Sequence, residues 1–497
     1  MVFTEARERS MDDAAKSGSL PVEASAGSAE PDVLRRQGSG AGLGARHVGA
    51  YARCADASSD RAFSGFSGMT ATGLTAPTVD QLRSRRDAGL AATLGHARQN
   101  SPFYSGLLGQ GEITPANARD ILRTLPPMVD EAWQDNRDQI RIAPPGNAMI
   151  GYTSGTSGRQ KSFLSTQGER AAYSELFCET EGSRARTLNL ANLAHGVAAP
   201  EDYGSNTVTV PFVIPGVHFE SAARILERRI SPYSAMPPFE IISGTLHMVK
   251  KLTRFLLETD RRPAELGLSR IMVFTQMLSP RWRARIEDWW EAEVDEIYGF
   301  SELRMCNSRK CRWCSLFHFP PTCIGEVLDP DGEFSVPDGP QVGTLAVTAF
   351  YPYVQLEPRI RYCPGDVVEV AGQACPLWGE PGYAVLGREQ HSIRLRNEWV
   401  CSAHCFSAIA DLPDVATFDE IAITLDDPSY HECGSPQFQL QRTERGATLF
   451  VELRYDPAVW LDEAQMVHDI LAARLPVPGL SIALRAPGKL PGDRYFV

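Results

Sequence analysis

Apolar residues recur at helical spacing behind Thr78-Val79-Asp80-Gln81, with Leu82, Leu90, Leu94 and Ala97 on one stripe. The Thr-x-x-Gln start has the form of a capping box, and together they predict a helix of about five turns. Ser101-Pro102-Phe103-Tyr104 breaks that helix, and Thr114-Pro115 opens a short one towards Leu125-Pro126-Pro127. From 148 to 350, strand-like runs such as Thr207-Val208-Thr209-Val210 alternate with amphipathic stretches. Among these, Ser279-Pro280 supplies the cap and first residue of a helix through Trp282, Ile286 and Trp289. Such alternation predicts α/β layering. Past Gly387-Arg388 the units shorten: strands at 420–425 and 447–454, a helix over 461–475 and a last strand at 480–484. The expected fold class is α/β, with a large layered N-terminal domain over 77–387 and a small C-terminal α+β domain over 388–497. Residues 1–76, rich in Ala, Ser, Gly and charge, bury too little apolar surface to offset the entropy of ordering them. They are expected to be a disordered leader, a start codon placed too far upstream being the other explanation.

Composition narrows the function. With 49 Lys+Arg against 61 Asp+Glu, the formal net charge of -12 gives no overall positive field to gather nucleic acid or anionic lipid. No apolar run reaches the roughly 18–20 residues of a bilayer-spanning helix, and the first residues lack the pattern of a secretion signal. The expected location is the cytoplasm, with neither nucleic acid nor membrane as partner. The 11 cysteines are unevenly spread, which fits reduced thiols and one local metal site better than a disulfide framework.

The most informative stretch is Tyr152-Thr153-Ser154-Gly155-Thr156-Ser157-Gly158-Arg159-Gln160-Lys161. Glycines let backbone N–H groups turn towards one anion, small hydroxyls add donors, and a lysine supplies charge, which together make a polyphosphate cradle. The stretch resembles the signature loop of the adenylate-forming superfamily, the acyl-CoA synthetases and their relatives, departing from it only at Ser157 and Gln160. Tyr298-Gly299-Phe300-Ser301-Glu302, then Arg361-Tyr362-Cys363-Pro364-Gly365-Asp366, then Gly387-Arg388 follow in the order of that family. Asn100-Ser101-Pro102-Phe103-Tyr104 and Leu125-Pro126 resemble the opening of phenylacetate-CoA ligases, so the likeness runs over about 79–497.

By that resemblance 77–387 is an adenylation domain and 388–497 a mobile companion. Thr153, Ser154, Gly155, Thr156, Ser157, Gly158 and Lys161 would bind the phosphates of ATP, Tyr298 would lie against adenine, and Glu302 would hold Mg2+. Asp366 would accept hydrogen bonds from the ribose hydroxyls, and Arg388 would approach from the hinge. A carboxylate beside a triphosphate is tolerable only with a divalent cation between the charges. The family's catalytic lysine near the C-terminus corresponds to Lys489 on one alignment and is absent on another. His218 is a candidate gate or carboxylate contact. Aromatic residues at Phe212, Phe219 and Phe274 point to a ring-bearing acid, while Phe274-Thr275-Gln276 lacks the glycine that relatives carry beside adenine.

The resemblance implies AMP-forming activation of a carboxylic acid followed by transfer to CoA. A carrier-protein thiol or an amine is the alternative acceptor, and a degenerate nucleotide-binding scaffold is the reading from another class; a homodimer is also open. Finally, Cys306, Cys311, Cys314 and Cys323 follow Glu302 closely, with His318 between the last two. Four thiolates in so short a loop can close a tetrahedral Zn2+ site that shapes the loop behind Glu302, with a [2Fe–2S] cluster and metal-free reduced thiols as the rivals. Cys363, Cys375, Cys401 and Cys405 are read as packing thiols, His404 making a second metal site at the last pair a minor alternative.

Overall fold

The computed structural model of the chain describes residues 79–142, 148–152, 161–169, 171–172, 185–192, 207–212, 217–274, 276–328, 341–396, 398–418 and 435–491. The expected leader, the phosphate-loop residues 153–160, Thr275 and the strand at 420–425 lie outside them. All the described residues belong to one compact unit, Ala57–Val497.

The first helix, α1 (Val79–Asn100), buries Leu90, Leu94 and Ala97 as its stripe demands, and adds Arg86 and Thr93 to the buried face. At Ser101-Pro102 the chain does more than break. The Ser101 hydroxyl accepts from the Tyr104 N–H at 3.5 Å, and Pro102 starts a fresh short helix, Pro102–Leu107. The short helix expected after Thr114-Pro115 is Ala118–Thr124.

Strands β1 (Ala148–Tyr152) and β2 (Ser162–Thr166) pair as a separate antiparallel ribbon with Tyr152 opposite Ser162. The parallel part of the main sheet comprises β3 (Thr187–Asn192), β4 (Thr207–Phe212), β5 (Ile241–Thr245), β6 (Arg270–Phe274) and β7 (Glu293–Tyr298). Helices α2 (Val217–Leu226), α3 (Leu246–Glu258) and α4 (Pro280–Trp290) cover it. Their apolar residues share one core with the strands, including Phe219, Leu252, Ile271 and Trp290. The α4 start is the expected one: Ser279 caps it by accepting from the Trp282 N–H at 3.3 Å, and Pro280 is its first residue.

After β7 the chain turns back through a hairpin of two very short strands, β8 (Ser308–Lys310) and β9 (Phe317–His318). The antiparallel part follows: β10 (Cys323–Leu328), β11 (Gln341–Ala349), β12 (Tyr362–Cys363), β13 (Asp366–Ala374) and β14 (Pro381–Arg388). With Met128–Val129, which pairs parallel to β12, these form one thirteen-stranded mixed sheet among the described residues, whose central order is β11-β13-β14-β9-β8-β7-β6-β5-β3-β4. The β8–β9 hairpin is thus the seam between the two halves. A flat sheet would hold β13 and β7 roughly 19 Å apart, at about 4.8 Å for each step across β14, β9 and β8. Yet the Tyr298 hydroxyl at the end of β7 reaches Asp366 at the start of β13 in a 2.7 Å hydrogen bond. The sheet therefore folds back at the seam and brings the strand ends together.

A third cluster, from Ile393 to Leu475, forms the C-terminal core. It contains α5 (Ser402–Ile409), β15 (Phe438–Thr443), β16 (Gly446–Glu452), α6 (Leu461–Arg474) and β17 (Leu480–Arg485). β15 and β16 are antiparallel, and β16 and β17 parallel. The expected strand at 447–454, helix at 461–475 and last strand correspond to β16, α6 and β17. No helix among the described residues is long and apolar enough to cross a membrane.

Candidate active site

Asp366 and Arg388 are directly opposite partners in the β13–β14 ladder, so their meeting follows from register alone. Arg388 Nε lies 3.3 Å from Asp366 Oδ1, and the guanidinium also donates to the Pro364 carbonyl at 2.7 Å. Asp366 Oδ2 accepts from Tyr298. Burial raises the Asp366 pKa above the usual aspartate value; the Arg388 charge and the Tyr298 hydrogen bond oppose that rise, and Glu302 adds to it. Burial also pushes the Tyr298 phenol well up, with Asp366 adding to the effect.

Next to this group lies a second. Lys161 Nζ is 3.2 Å from Asp130 Oδ1 and 3.5 Å from Glu302 Oε1. The Tyr362 hydroxyl lies 2.9 Å from Asp130 Oδ1 and 3.4 Å from Glu302 Oε1, close enough to donate to either. Lys161 stands immediately before β2, and β2 is anchored by Glu357, a fully buried carboxylate that accepts from the Leu164 N–H at 2.9 Å. Arg137 and Arg141 approach Glu357 at 2.9 and 3.3 Å and hold its charge in place.

Thus Lys161, Tyr298, Glu302, Asp366 and Arg388, five of the residues expected at the site, come together from the residue before β2, from β7, from the turn Ser301–Cys306 and from the β13–β14 hairpin. Thr153, Ser154, Gly155, Thr156, Ser157 and Gly158 lie outside the described residues. The contacts just given involve neither His218 nor Lys489. His218 is partly buried in the first turn of α2, beside Phe219, which is itself a core residue. Lys489 is exposed on a turn closed by its own N–H to the Ala486 carbonyl. Asp130 and Tyr362 have no place in the sequence reading; Tyr362 lies inside a motif that points to Asp366, and Asp130 has no motif around it.

The cysteines gather differently from the expected set. One ligand atom from each of Cys311, Cys314, His318 and Cys375 lies within 4.8 Å of all the others. Cys306 and Cys323 are not in this group. The turn Ser301–Cys306 folds Cys306 into the core beside Leu303, and Cys323 enters the same core at the start of β10. There they hydrogen-bond to each other, and burial raises the Cys306 thiol well above its usual range. Cys375, read from sequence as a packing thiol, takes a place in the cluster because β14 pairs with β9 and carries the turn of its hairpin to the β8–β9 loop. His404 acts as a cap: its Nδ1 accepts from the Cys401 N–H at 3.2 Å at the start of α5.

A cavity of about 330 Å³ lies between α1 and the antiparallel strands, lined by Arg83, Arg86, Arg123, Glu326 and Tyr383. It shares no residue with the Asp366 and Glu302 groups.

No protein-family model matches the chain, and no curated protein matches it. Solved structures do. 2-Hydroxyisobutyryl-CoA ligase, in an open conformation with 2-HIB-AMP and CoA, is 15% identical over 83% of this chain and 89% of its own, with a TM-score of 0.58. The same enzyme in its postadenylation state with 2-HIB-AMP gives 0.59, again at 15% identity, over 84% and 88% of the two chains. The chain shares the fold of this ligase. An ATP-bound chimera, RpMatB-BxBclM, is similar in fold at a TM-score of 0.50 and 17% identity, over 70% of this chain and 65% of its own.

Proposed function

We propose that the chain activates a carboxylic acid with ATP, releasing pyrophosphate, and passes the acyl group from acyl-AMP to CoA. The observation that carries this reading is the convergence of Tyr298, Asp366 and Arg388 with Glu302 and Lys161 at the end of parallel strand β7. Open α/β sheets bind ligands outside the carboxyl ends of their strands. The likeness in fold to a CoA ligase solved with 2-HIB-AMP and CoA supports the same reading.

Asp366 has one oxygen engaged by Tyr298 and the other near Arg388, but an ionised carboxylate offers about four lone-pair sites. It can therefore accept from both ribose hydroxyls while Arg388 fixes its orientation. Tyr298, held by Asp366, presents its ring to adenine. Lys161, now between two carboxylates, has a better partner in a triphosphate, and the hydroxyls and glycines that precede it in the sequence at 153–158 are donors suited to the same anion. Asp130 and Glu302 are hard oxygen donors within reach of one cation, a donor set that fits Mg2+. Bound there, Mg2+ would neutralise phosphate charge. The acid's carboxylate oxygen attacks the α-phosphorus, the bond to pyrophosphate breaks, and CoA sulfur then displaces AMP from the acyl carbon. The chain contributes positioning and charge stabilisation to both steps. Lys489, with its exposed ammonium, would reach the forming adenylate by movement of the C-terminal unit.

An aromatic acid remains the preferred substrate, resting on Phe212 and Phe274, since Phe219 is taken up by the core. The test is pyrophosphate release with ATP and a panel of aromatic, aliphatic and 2-hydroxy acids, followed by thioester formation on adding CoA. Absence of pyrophosphate with every acid would overturn the reading, and selective release with aliphatic acids would overturn the aromatic assignment alone.

A further inference from the structure

We propose that Cys311, Cys314, His318 and Cys375 bind one Zn2+, which staples the turn of the β13–β14 hairpin to the β8–β9 hairpin and so pins the sheet where it folds back. This rests on the cluster itself and is independent of the reaction assigned above.

The spacing suits a single ion. Cys311 Sγ and Cys375 Sγ are 3.9 Å apart, and Cys314 Sγ and His318 Nε2 are 3.1 Å apart. A tetrahedral zinc with bonds of about 2.3 Å to sulfur sets its sulfurs about 3.8 Å from one another. A disulfide would need roughly 2.05 Å between sulfurs, and these cysteines are free. Three of the four residues are buried and Cys314 is partly so. Thiolate and imidazole donors are soft to borderline, which favours zinc over magnesium or calcium, and the histidine disfavours an all-cysteine iron–sulfur cluster. A closed three-cysteine, one-histidine set leaves no open position, so the ion is structural.

The backbone on both sides is shaped for it. Cys311-Arg312-Trp313-Cys314 lies in a tight turn in which the Ser315 N–H donates to the Cys311 carbonyl at 2.8 Å and the Cys311 N–H to the Leu316 carbonyl at 2.7 Å. Opposite, the Cys375 N–H donates to the Glu380 carbonyl at 2.9 Å, while the Trp378 and Gly379 N–H groups close on the Cys375 carbonyl at 3.2 and 2.6 Å. Trp378 from this turn stacks on the His318 ring, with centroids 5.0 Å apart and planes within 4°. Gly382 makes room for the ring: a Cβ there would lie 3.0 Å from His318 Nε2 and 2.6 Å from the Leu316 Cβ. Cys311 and Cys375 are 64 residues apart in sequence, so the ion closes a long loop across the seam.

Metal analysis of the full chain, purified without added metal, is expected to give about one zinc per chain. Replacement by Co2+ should give the thiolate charge-transfer and intense visible bands of a tetrahedral site. Cys375→Ser and His318→Asn should weaken zinc retention against a chelator by more than about 100-fold, beyond the 10–100-fold that loss of an outer-shell partner gives. Cys306→Ser and Cys323→Ser should retain it. Should the cluster variants fail to fold, titrating wild-type protein with a mercurial while a dye reports released zinc supplies the answer: release should track the loss of three thiols. A metal-free protein that also gives no tetrahedral Co2+ spectrum would overturn the proposal, as would a brown iron-bearing protein. Zinc lost from Cys306→Ser but kept in Cys375→Ser would overturn it as well. None of these readouts depends on ATP turnover, so a failure here leaves the adenylation reading standing, and the reverse.

Discussion

At its open end the β13–β14 hairpin presents Asp366 and Arg388 to Tyr298, Glu302 and Lys161; at its turn it presents Cys375 to Cys311, Cys314 and His318. The ends are separated by the length of β13, about 26 Å at 3.3 Å per residue. Both groups straddle the seam where the sheet folds back, and both draw partners from the β7–β9 side. Their chemistry is opposite. The open end collects formal charge and hard oxygen, a set that responds to a ligand carrying its own charge. The turn collects three thiols and an imidazole, soft to borderline donors that suit a soft cation. One end of a hairpin can thus be kept adaptable for ligand exchange while the other is fixed.

The largest expected effect breaks the charged end. Glu302→Ala should slow acyl-AMP formation by at least about 100-fold, the scale seen when one charge-stabilising group is removed from an active site. Zinc content should stay at the wild-type level. Wild-type pyrophosphate release in this variant would separate Glu302 from the reaction.

Asp366→Asn should come next, raising KM for ATP by about 10–100-fold, since it strips one partner from a hydrogen-bonded charge pair. Titration sharpens the point. Because burial raises the Asp366 pKa, ionised Asp366 weighs against stability above that raised value, and the burden is relieved as pH falls from the raised folded value towards the unfolded one. Activity runs the other way: protonated Asp366 accepts fewer ribose hydrogen bonds, so KM for ATP should climb as pH falls through the raised value. Arg388 opposes the rise, so Arg388→Gln should move this acid limb to higher pH. A limb at the same pH in both proteins would dissociate Arg388 from Asp366.

Chelation of the metal should act mainly on stability, lowering the thermal midpoint by about 5–10 °C while changing KM for ATP by less than about threefold. A KM change larger than that of Asp366→Asn would show that the two ends are one rigid device. The smallest effect belongs to Gly382→Ala. The Cβ it adds would crowd His318 and Leu316 and should lower stability by about 1 kcal/mol, measured by denaturant titration.

What could be read from the sequence divides along the same line. Ser279-Pro280 and the α1 stripe are local signals and appear where the pattern puts them. Tyr298, Glu302, Asp366 and Arg388 each sit in a short motif, so their types were legible, although the fold-back that unites them was not. Asp130 reaches Lys161 from a segment with no motif. Cys375 is delivered by antiparallel pairing between strands distant in sequence, whereas the Cys306-to-Cys323 spacing looked sufficient by proximity along the chain. Spacing counts residues, but it does not record that the turn Ser301–Cys306 points Cys306 into the core. In the C-terminal unit, β15 alternates Phe438 and Leu440 with Gln439 and Gln441, a pattern too short to stand out from its surroundings.

Met277 packs against both the C-terminal core and the small cluster of Val367, Leu386, Cys401 and Ala403. Beside it the Ser279 hydroxyl, already the cap of α4, donates to Asp411 Oδ1 at 3.2 Å, and Arg281 reaches the Asp411 carbonyl at 3.4 Å. Gly387, at φ +125, sits where a Cβ would come within 2.9 Å of the Ser402 Cβ. The segment from Met277 to Arg281 therefore ties the start of α4 to the C-terminal core through one thioether and two hydrogen bonds to Asp411. Those contacts together should contribute only a few kcal/mol. Asp411→Ala removes the acceptor of the Ser279 hydroxyl, and any resulting rise in deuterium uptake at the Trp282 amide would report how far that contact steadies the α4 cap.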